Sequence, residues 1–253
     1  MANLNLIKSF NQRYEKTSPI RNYNESTIVN ESFDADRIEK AFQDEIANLG
    51  PNFTRYFDFG LPTNAVLLFI DVCNFSTRKG HLNGEEIANY FDAYYDKIIP
   101  TIYKYGGEIE KIIGDGIICV FAPPFLDKEI EDLLDLANQC ATEIIEKTKG
   151  TEYTSKVAIH SGKINYFKNK SGFYQEYTII GKPLTELFRL ESVSNNECVN
   201  FYADSPVHEL HKEEIERNIM MGMIYSTVYG PYSRHNAVGL KGVDFSAYYS
   251  LKI

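Results

Sequence analysis

Two apolar, β-type segments of this chain each carry one carboxylate at a break in their pattern, and this pair constrains the fold more than any other feature. The first segment is LLFIDVCNFS at 67–76, and the second is EKIIGDGIICVF at 110–121. Asp71 and Asp115 stand at the two breaks. An unpaired buried charge is costly, so a carboxylate in such a run indicates a strand end or a turn. On neighbouring strands, two such acids can hold one or two divalent cations for phosphate chemistry.

The second segment has the pattern of a β-hairpin. Apolar and β-branched residues predominate at 109–113 and fill 117–121, and the Gly-Asp-Gly sequence at 114–116 is typical of a tight turn. Aspartate is common in turns because its side chain makes local hydrogen bonds. Asp115 alone therefore indicates only a turn, and its pairing with Asp71 is what favours a functional role.

In the order in which they occur, these segments resemble the catalytic core of the class III nucleotidyl cyclases. VAIHSGKI at 157–164 and YTIIGKPLTELFRLES at 177–192 resemble the next strand, glycine turn and helix of that core. GLKGVDFSAYYSL at 239–251 resembles its last strand. The resemblance covers roughly residues 60–253. It implies an α+β fold with the ferredoxin-like βαββαβ core of that family, in which helices flank a mainly antiparallel sheet.

The pattern of residues along the chain agrees with an α+β fold, because strands alternate with helices while hairpins predominate. Periodicity predicts helices at 84–104, 127–148, 182–193 and 205–217. Strands and hairpins are predicted at 64–72, 107–121, 155–167 with 174–180, 198–202, 220–229 and 237–251. Residues 1–55 are polar, with one short helix predicted within 37–49, and we expect them to form an N-terminal arm before a cyclase domain at 56–253.

The composition is that of a soluble globular enzyme. The 253 residues suffice for one substantial core, and 43% of them are hydrophobic and 24% charged. No apolar run approaches the roughly 18 residues that span a bilayer, and the N-terminus lacks a secretory pattern. We therefore expect a cytoplasmic protein without a membrane span. The net charge of −9 argues against nucleic acid as a partner.

The cysteines and histidines form no metal-binding pattern. The four cysteines show no C-x-x-C spacing, and we expect them to be small buried residues in a reducing compartment. The five histidines show neither H-E-x-x-H nor zinc-finger spacing. The sequence also contains no Walker-type phosphate loop.

The resemblance implies a set of metal ligands and a phosphate-binding segment. In a nucleotidyl cyclase the ribose 3′-oxygen attacks the α-phosphorus and pyrophosphate leaves, and two metal ions polarise the hydroxyl and clamp the phosphates. By resemblance, Asp71 and Asp115 bridge two divalent cations, Mg²⁺ or Mn²⁺, with Ile70 contributing its backbone. Phe75 and Ser76 then lie near the triphosphate, where backbone N–H groups suit an anion.

Arg189 matches the family's transition-state arginine, whose guanidinium can donate two hydrogen bonds to the α-phosphate. Thr185 stands where the family usually has a ribose-orienting asparagine, and threonine is shorter. Asn74 replaces a usual glycine, and asparagine tolerates unusual backbone angles better than most residues. Lys241 resembles the family's phosphate-contacting lysine, although Val243 stands where a second lysine is usual.

Lys111 and Thr178 stand where adenylate cyclases place a base-reading lysine and its partner. Guanylate cyclases typically have glutamate and cysteine at these positions, so Lys111 argues against guanine. A lysine only donates hydrogen bonds, which suits adenine N1, uracil O4 or O2, and cytosine N3 or O2. A threonine hydroxyl donates or accepts, so Thr178 leaves the base open.

The chain also resembles a subgroup of compact cyclases that make cyclic UMP or cyclic CMP in bacterial antiphage defence (Pycsar). A cyclase domain with a short polar arm fits that subgroup, and the replaced asparagine and glycine separate the chain from ordinary adenylate cyclases. We expect UTP, then CTP, as the substrate, with ATP as the alternative. Because the family builds each site from two subunits, we also expect a homodimer with shared sites. A degenerate module that binds nucleotides without turnover is the second alternative.

Overall fold

Strands and helices alternate through the part of the chain that the computed structural model describes, namely residues 56–57, 59–168, 177–220, 228–229 and 231–253. The predicted N-terminal arm and its short helix lie outside these residues. In chain order the elements are β1 (Pro62–Val72), α1 (Phe75–Lys79), α2 (Gly84–Lys104), β2 (Glu108–Ile113), β3 (Gly116–Phe121), α3 (Ile130–Thr148), β4 (Ser155–Lys168), β5 (Tyr177–Ile180), α4 (Lys182–Val193), β6 (Cys198–Tyr202), α5 (Pro206–Met220), β7 (Val228–Tyr229), β8 (Tyr232–Asn236) and β9 (Ala247–Lys252).

One sheet joins all of these strands, in the order β2-β3-β1-β4-β6-β9-β8-β7, with β5 paired to β4. The β4–β6 pair is parallel, and the other strand pairs are antiparallel. The first four strands, with α2 and α3 as their connections, form a ferredoxin-like βαββαβ unit in the order β2-β3-β1-β4. The predicted fold class, α+β with a mainly antiparallel sheet flanked by helices, is confirmed.

The middle of strand β1, residues 65–70, is buried on both faces of the sheet, which explains why this part of its sequence is an unbroken apolar run. Side chains alternate along a strand, so its residues divide between the two faces of the sheet. Val66, Leu68 and Ile70 belong to the hydrophobic cluster that includes residues of α2 and α3. Leu67 and Phe69 belong to the cluster that includes residues of α4. Asp71 follows Leu67 and Phe69 in the alternation, so its carboxylate lies on the same face of the sheet as α4.

Helix α2 begins with a capping box at Asn83. The Asn83 side chain accepts hydrogen bonds from the backbone N–H groups of Glu85 and Glu86, and the Glu86 carboxylate accepts one from the Asn83 N–H. This arrangement satisfies N–H groups that the first turn of a helix leaves unpaired. Farther along, α2 buries a row of tyrosine and isoleucine side chains against the sheet. The predicted bounds of this helix are confirmed.

Helix α4 lies along strand β4 on the opposite face of the sheet. As α4 advances in sequence, its contacts move backward along β4, so the two elements run antiparallel. The contacts are Gly162 with Pro183, His160 with Glu186, and Lys156 with Glu191. The predicted bounds of α4 are also confirmed. The helix is therefore fixed to the strand along its whole length.

The last part of the chain differs from the predicted strands. Helix α5 continues to Met220, where a strand was expected, and the predicted strand at 237–251 is a loop followed by β9. Gly239 and Gly242 adopt φ angles of 97° and 79°, which lie outside the β region and turn the chain back before β9. Among the described helices, none is long and apolar enough to cross a membrane.

Candidate active site

Asp71 and Asp115 lie at the same end of two neighbouring strands. Asp71 is the penultimate residue of β1, and Asp115 is in the turn between β2 and β3. Ile70 pairs with Ile117 across β1 and β3, which places the turn beside the end of β1. The two carboxylates are close enough for the charge of Asp115 to raise the pKa of Asp71. The structure therefore brings these two predicted residues together.

The carboxyl group of Asp71 holds its proton more tightly than an ordinary aspartate. Burial is the main cause, followed by the charge of Asp115, and together they raise the pKa of Asp71 from 3.8 to about 6. Glu191 adds to the increase, and Lys156 opposes it. A site where buried acids repel one another favours a bound cation, because the cation offsets both the repulsion and the burial of charge.

Lys156 and Glu191 are site residues that the sequence reasoning missed. The ammonium nitrogen of Lys156 is 3.4 Å from Asp71 Oδ2 and 2.8 Å from Glu191 Oε1. All three side chains are 16–18% exposed. The signal was a lysine just before the apolar run of 157–160, which is an unusual place for a charge.

A side chain of helix α2 is hydrogen-bonded to the turn that carries Asp115. The Tyr95 hydroxyl donates a hydrogen bond to the Gly114 carbonyl oxygen at 3.2 Å. Burial and the nearby charge of Asp115 raise the pKa of Tyr95 to about 12, so this hydroxyl keeps its proton. Because Gly114 is exposed, this contact from a buried side chain ties an otherwise solvated turn to the core.

The segment between β1 and α1 has the backbone geometry that its sequence predicts. Asn74 adopts the left-handed conformation, with φ 58° and ψ 31°, which confirms that asparagine serves where a glycine is usual. Helix α1 follows at once and begins with Phe75. The Phe75 ring packs against the rings of Tyr90 and Phe91, with centroid distances of 5.3 and 4.7 Å. Ser76 is exposed beside it.

Thr185 and Arg189 lie on the outer face of helix α4. Both side chains are exposed, while Glu186, Leu187 and Leu190 on the inner face are buried. The two residues are four apart in sequence, so they lie one turn apart on the same side of the helix. Their outward orientation makes them accessible to a second molecule that docks against α4.

The predicted base readers lie on two strands that contact each other, but that contact involves a different residue. Thr178 is in β5 and Lys111 is in β2, and both side chains are half-buried. The Thr178 hydroxyl donates a hydrogen bond to Glu110 Oε1 at 2.5 Å. Glu110 immediately precedes Lys111. Its contact with Thr178 could not be predicted from the sequence, because the sequence does not show that β2 and β5 lie side by side.

Lys241 is exposed in a turn before β9 rather than in the strand where the sequence analysis placed it. This loop is connected to the start of α4, because Lys182 donates a hydrogen bond to the Asp244 carboxylate. Lys241 is therefore in a loop that contacts the helix carrying Arg189.

The residues at the end of β1 fit a magnesium or manganese site. The Asp71 and Asp115 carboxylates and the Ile70 backbone carbonyl are hard oxygen donors, which these cations prefer. The mutual repulsion of the two acids indicates the same chemistry. Within the described ranges, no group of three or more His, Cys, Asp or Glu side chains is arranged to hold a metal ion. A cation held here would therefore depend on backbone, solvent or phosphate oxygens for its remaining ligands.

No protein-family model matches the chain. Uncharacterised proteins of Mycobacterium bovis and Mycobacterium tuberculosis are 20% identical to it over 147 residues, or 58% of this chain. The match covers 27% of each of those proteins, so the chain spans only about a quarter of the length of these curated relatives.

Solved structures resemble the chain over a larger share of its length. The catalytic core of a rhodopsin-guanylyl cyclase with converted specificity, in complex with ATPαS, has a TM-score of 0.60 at 17% identity, covering 76% of this chain and 97% of that one. The adenylyl cyclase CyaB from P. aeruginosa has a TM-score of 0.59 at 17% identity, covering 76% and 95%. The guanylate cyclase domain of RhGC from Catenaria anguillulae, in complex with GTP, has a TM-score of 0.58 at 16% identity, covering 76% and 98%. The chain therefore has the fold of these cyclase catalytic domains.

Proposed function

We propose that this chain is a class III nucleotidyl cyclase, which converts a nucleoside triphosphate to a 3′,5′-cyclic nucleotide and pyrophosphate. The observation that carries the proposal is the placement of Asp71 and Asp115 at the same end of the paired strands β1 and β3, in a sheet with the cyclase fold. In the reaction the ribose 3′-oxygen bonds to the α-phosphorus, and the bond from that phosphorus to the bridging oxygen of pyrophosphate breaks. The 3′-hydroxyl loses its proton, and pyrophosphate leaves with the electron pair.

Each part of the site has a role in this reaction. Asp71, Asp115 and the Ile70 carbonyl would hold two divalent cations, Mg²⁺ or Mn²⁺, and these would supply activation of the 3′-hydroxyl and neutralisation of phosphate charge. The backbone leading into α1, at Phe75 and Ser76, offers N–H groups to the triphosphate. These groups position the nucleotide so that the reacting oxygen and phosphorus come close together.

The outer face of α4 and the loop before β9 complete the site. Arg189 donates hydrogen bonds to the α-phosphate as its negative charge grows. Thr185 contacts the ribose, and Lys241 contacts the phosphates. Because Thr185 and Arg189 point outward from the chain that carries them, a homodimer with two shared sites lets them act on nucleotide held by the other subunit's acids.

For the base, we favour a pyrimidine, so that UTP or CTP is the substrate and ATP the alternative. Lys111 and Thr178 read the base in this proposal. The product, cyclic UMP or cyclic CMP, would act as a second messenger in bacterial antiphage defence. This preference is supported by the resemblance of the sequence to that subgroup, including the replacement of an asparagine by Thr185 and of a glycine by Asn74.

Product analysis tests the proposal directly. The purified chain is incubated with equimolar ATP, GTP, CTP and UTP and Mn²⁺, and the products are identified by mass spectrometry. A cyclic nucleotide with matching pyrophosphate release is expected, and Asp71→Ala should abolish both. Asp135→Asn, which changes an exposed acid on α3, is the matched control and should retain activity.

Two results would contradict the proposal. An active Asp71→Ala variant would contradict the metal assignment. Nucleotide binding without any cyclic product in the presence of Mn²⁺ would favour a nucleotide-binding module instead.

A further inference from the structure

Strand β2 contains an irregularity beside the predicted base reader. Its pairing with β3 shifts between Ile109, which faces Cys119, and Lys111, which faces Ile118. Glu110 is the additional residue at this β-bulge. A bulge redirects side chains that would otherwise alternate strictly between the two faces of the sheet. Here it accompanies a contact between Glu110 and strand β5.

Glu110 makes two contacts with β5 through one carboxylate oxygen. The Thr178 hydroxyl donates to Glu110 Oε1 at 2.5 Å, and the Ile179 backbone N–H donates to the same oxygen at 3.2 Å. Hydrogen bonds to a carboxylate are shorter and stronger than those between neutral groups. The Ile179 carbonyl oxygen is also within reach of the Thr178 hydroxyl, but at 3.5 Å, so the hydroxyl hydrogen is committed to the much closer Glu110 oxygen.

We infer that Glu110 is a specificity-determining residue of the base pocket, because it fixes the Thr178 hydroxyl as a hydrogen-bond acceptor toward the base. A hydroxyl has a single hydrogen, so a threonine that donates to a carboxylate presents only its lone pairs to any other partner. This inference rests on the proposed function, since it takes Lys111 and Thr178 as the residues that read the base.

Thr178 and Lys111 together then present one hydrogen-bond acceptor and one donor to the base. The base must offer an N–H group to Thr178 and a lone pair to Lys111. A carboxylate oxygen lies only 2.5 Å from the Thr178 oxygen, so a carbonyl of the base would be repelled there. An exocyclic amino group beside an unprotonated ring nitrogen meets both conditions, because the amino group donates to Thr178 and the ring nitrogen accepts from Lys111.

The selected substrate class is a nucleotide whose base carries, on its Watson–Crick edge, an exocyclic amino group beside an unprotonated ring nitrogen, which guanine lacks because its N1 is protonated. Cytosine has an amino group beside the unprotonated N3, and adenine has one beside N1. Uracil can offer only its N3–H to Thr178, and the carbonyls on either side of N3 would then be repelled by the nearby Glu110 carboxylate. Among pyrimidine nucleotides, the contact between Glu110 and Thr178 therefore selects CTP over UTP. Adenine has the same arrangement of amino group and unprotonated ring nitrogen as cytosine, so ATP also fits.

The test compares kcat/KM for CTP, UTP and ATP in the wild-type chain and in Thr178→Val and Glu110→Ala. We expect the wild type to prefer CTP to UTP by at least about tenfold, the scale of one discriminating hydrogen bond. In both variants the ratio should fall toward one, mainly through KM, because base recognition is binding shared by ground and transition states. Asp135→Asn is the control and should keep the wild-type ratio.

Glu110→Gln, which preserves shape, replaces Glu110→Ala if the latter does not fold, and its ratio should also decrease. A wild type that prefers UTP to CTP would overturn the inference. So would an unchanged ratio in folded Glu110 variants. The ATP arm distinguishes the two amino-bearing bases and supports the inference whether ATP ranks above or below CTP, provided that both exceed UTP.

The inference and the proposed function fail in different ways. If the wild type forms no cyclic product from any nucleotide, the proposed function fails. Titration calorimetry of CTP and UTP, in the wild type and in Glu110→Gln, then still measures base preference as a ratio of dissociation constants. Tighter binding of CTP that is lost in Glu110→Gln would support the inference without turnover, and equal binding of CTP and UTP would overturn it.

Discussion

Lys156 lies opposite Asp71 in the antiparallel register of β1 and β4, and its ammonium nitrogen is 3.4 Å from Asp71 Oδ2. The same nitrogen is 2.8 Å from Glu191 Oε1 on α4. Because one cation serves two acids, and Asp115 adds a further charge, the negative charge at this edge of the sheet is only partly compensated. A divalent cation that binds Asp71 therefore competes with the Lys156 ammonium for the same carboxylate.

Metal affinity should depend on pH through Asp71. A carboxylate binds a divalent cation in its ionised form, and burial and Asp115 raise the pKa of Asp71 to about 6. We expect the affinity for Mn²⁺ to fall about tenfold per pH unit below that pKa and to level off above about pH 7. Calorimetric titration with Mn²⁺ across this range is the measurement. Constant affinity down to about pH 5 would contradict the raised pKa.

Replacing Asp71 by asparagine should stabilise the folded chain at neutral pH. The pKa of Asp71 is 3.8 when unperturbed and about 6 in the folded state, so the folded state binds more protons between these values. Stability contributed by this group is therefore present below about pH 4 and is lost as pH rises toward 6. Asp71→Asn removes that loss, and we expect a gain of up to about 3 kcal/mol at neutral pH, since one pKa unit corresponds to about 1.4 kcal/mol. Urea unfolding at acidic and neutral pH measures it, and a variant less stable than wild type at neutral pH would contradict it.

Removing the Lys156 charge should shift the pH dependence of metal binding. Lys156 lowers the pKa of Asp71, so Lys156→Met should raise it further and move the midpoint of Mn²⁺ affinity to higher pH. Well above that midpoint the same variant should bind Mn²⁺ more tightly, because the competing ammonium is gone. Lys156→Arg keeps the charge and is the matched control. An identical midpoint in Lys156→Met and wild type would show that the 3.4 Å contact has no electrostatic effect.

Tyr95→Phe should weaken metal binding through the Asp115 turn. The variant keeps the buried ring but loses the hydrogen bond to the Gly114 carbonyl, which should cost roughly 1 kcal/mol of stability. Tyr105→Phe is a suitable control, because it removes a hydroxyl that donates to Glu143. Both variants should unfold at lower urea concentration than wild type, and Tyr95→Phe alone should lose Mn²⁺ affinity. Equal Mn²⁺ affinity in Tyr95→Phe and Tyr105→Phe would contradict this prediction, because it would show that the hydrogen bond from Tyr95 to Gly114 does not affect metal binding.

Complementation should reveal whether sites are shared between subunits. Asp71→Ala and Arg189→Ala change the two halves of the proposed site, so each variant alone should be inactive. In an equimolar mixture, half of the dimers are mixed and carry one intact site of two, so we expect about a quarter of wild-type activity. Mixing Asp71→Ala with Asp115→Ala changes the same half twice and is the negative control. A mixture of Asp71→Ala and Arg189→Ala that stays inactive would contradict the shared site.

The fold was predictable from sequence where the pattern is local. The bounds of α2, α4 and β6 were predicted correctly, because their apolar periodicity and their glycine or polar boundaries lie within the segments themselves. Asn74 was likewise expected in an unusual conformation from its residue type. The four cysteines were expected to be buried, and they are. These features need no knowledge of distant residues.

The missed contacts depend on residues far apart in sequence. Lys156 meets Asp71 only because β1 and β4 pair in one particular register, and a shift of one residue would have turned either side chain to the other face. Glu110 meets Thr178 beside a bulge, which the alternation of apolar residues does not reveal. The proximity of Asp71 and Asp115 was therefore predictable, while the contact of Asp71 with Lys156 and the contact of Glu110 with Thr178 were not.

The alignment of α4 with β4 has a consequence for assembly. A flexible recognition helix would lose conformational freedom when a partner docks, and that loss would weaken association. Here Pro183, Glu186 and Glu191 already hold the inner face of α4 against the strand. The outer face with Arg189 is thus presented in an ordered state before any encounter, so that this helix would add little entropic cost to the proposed homodimer.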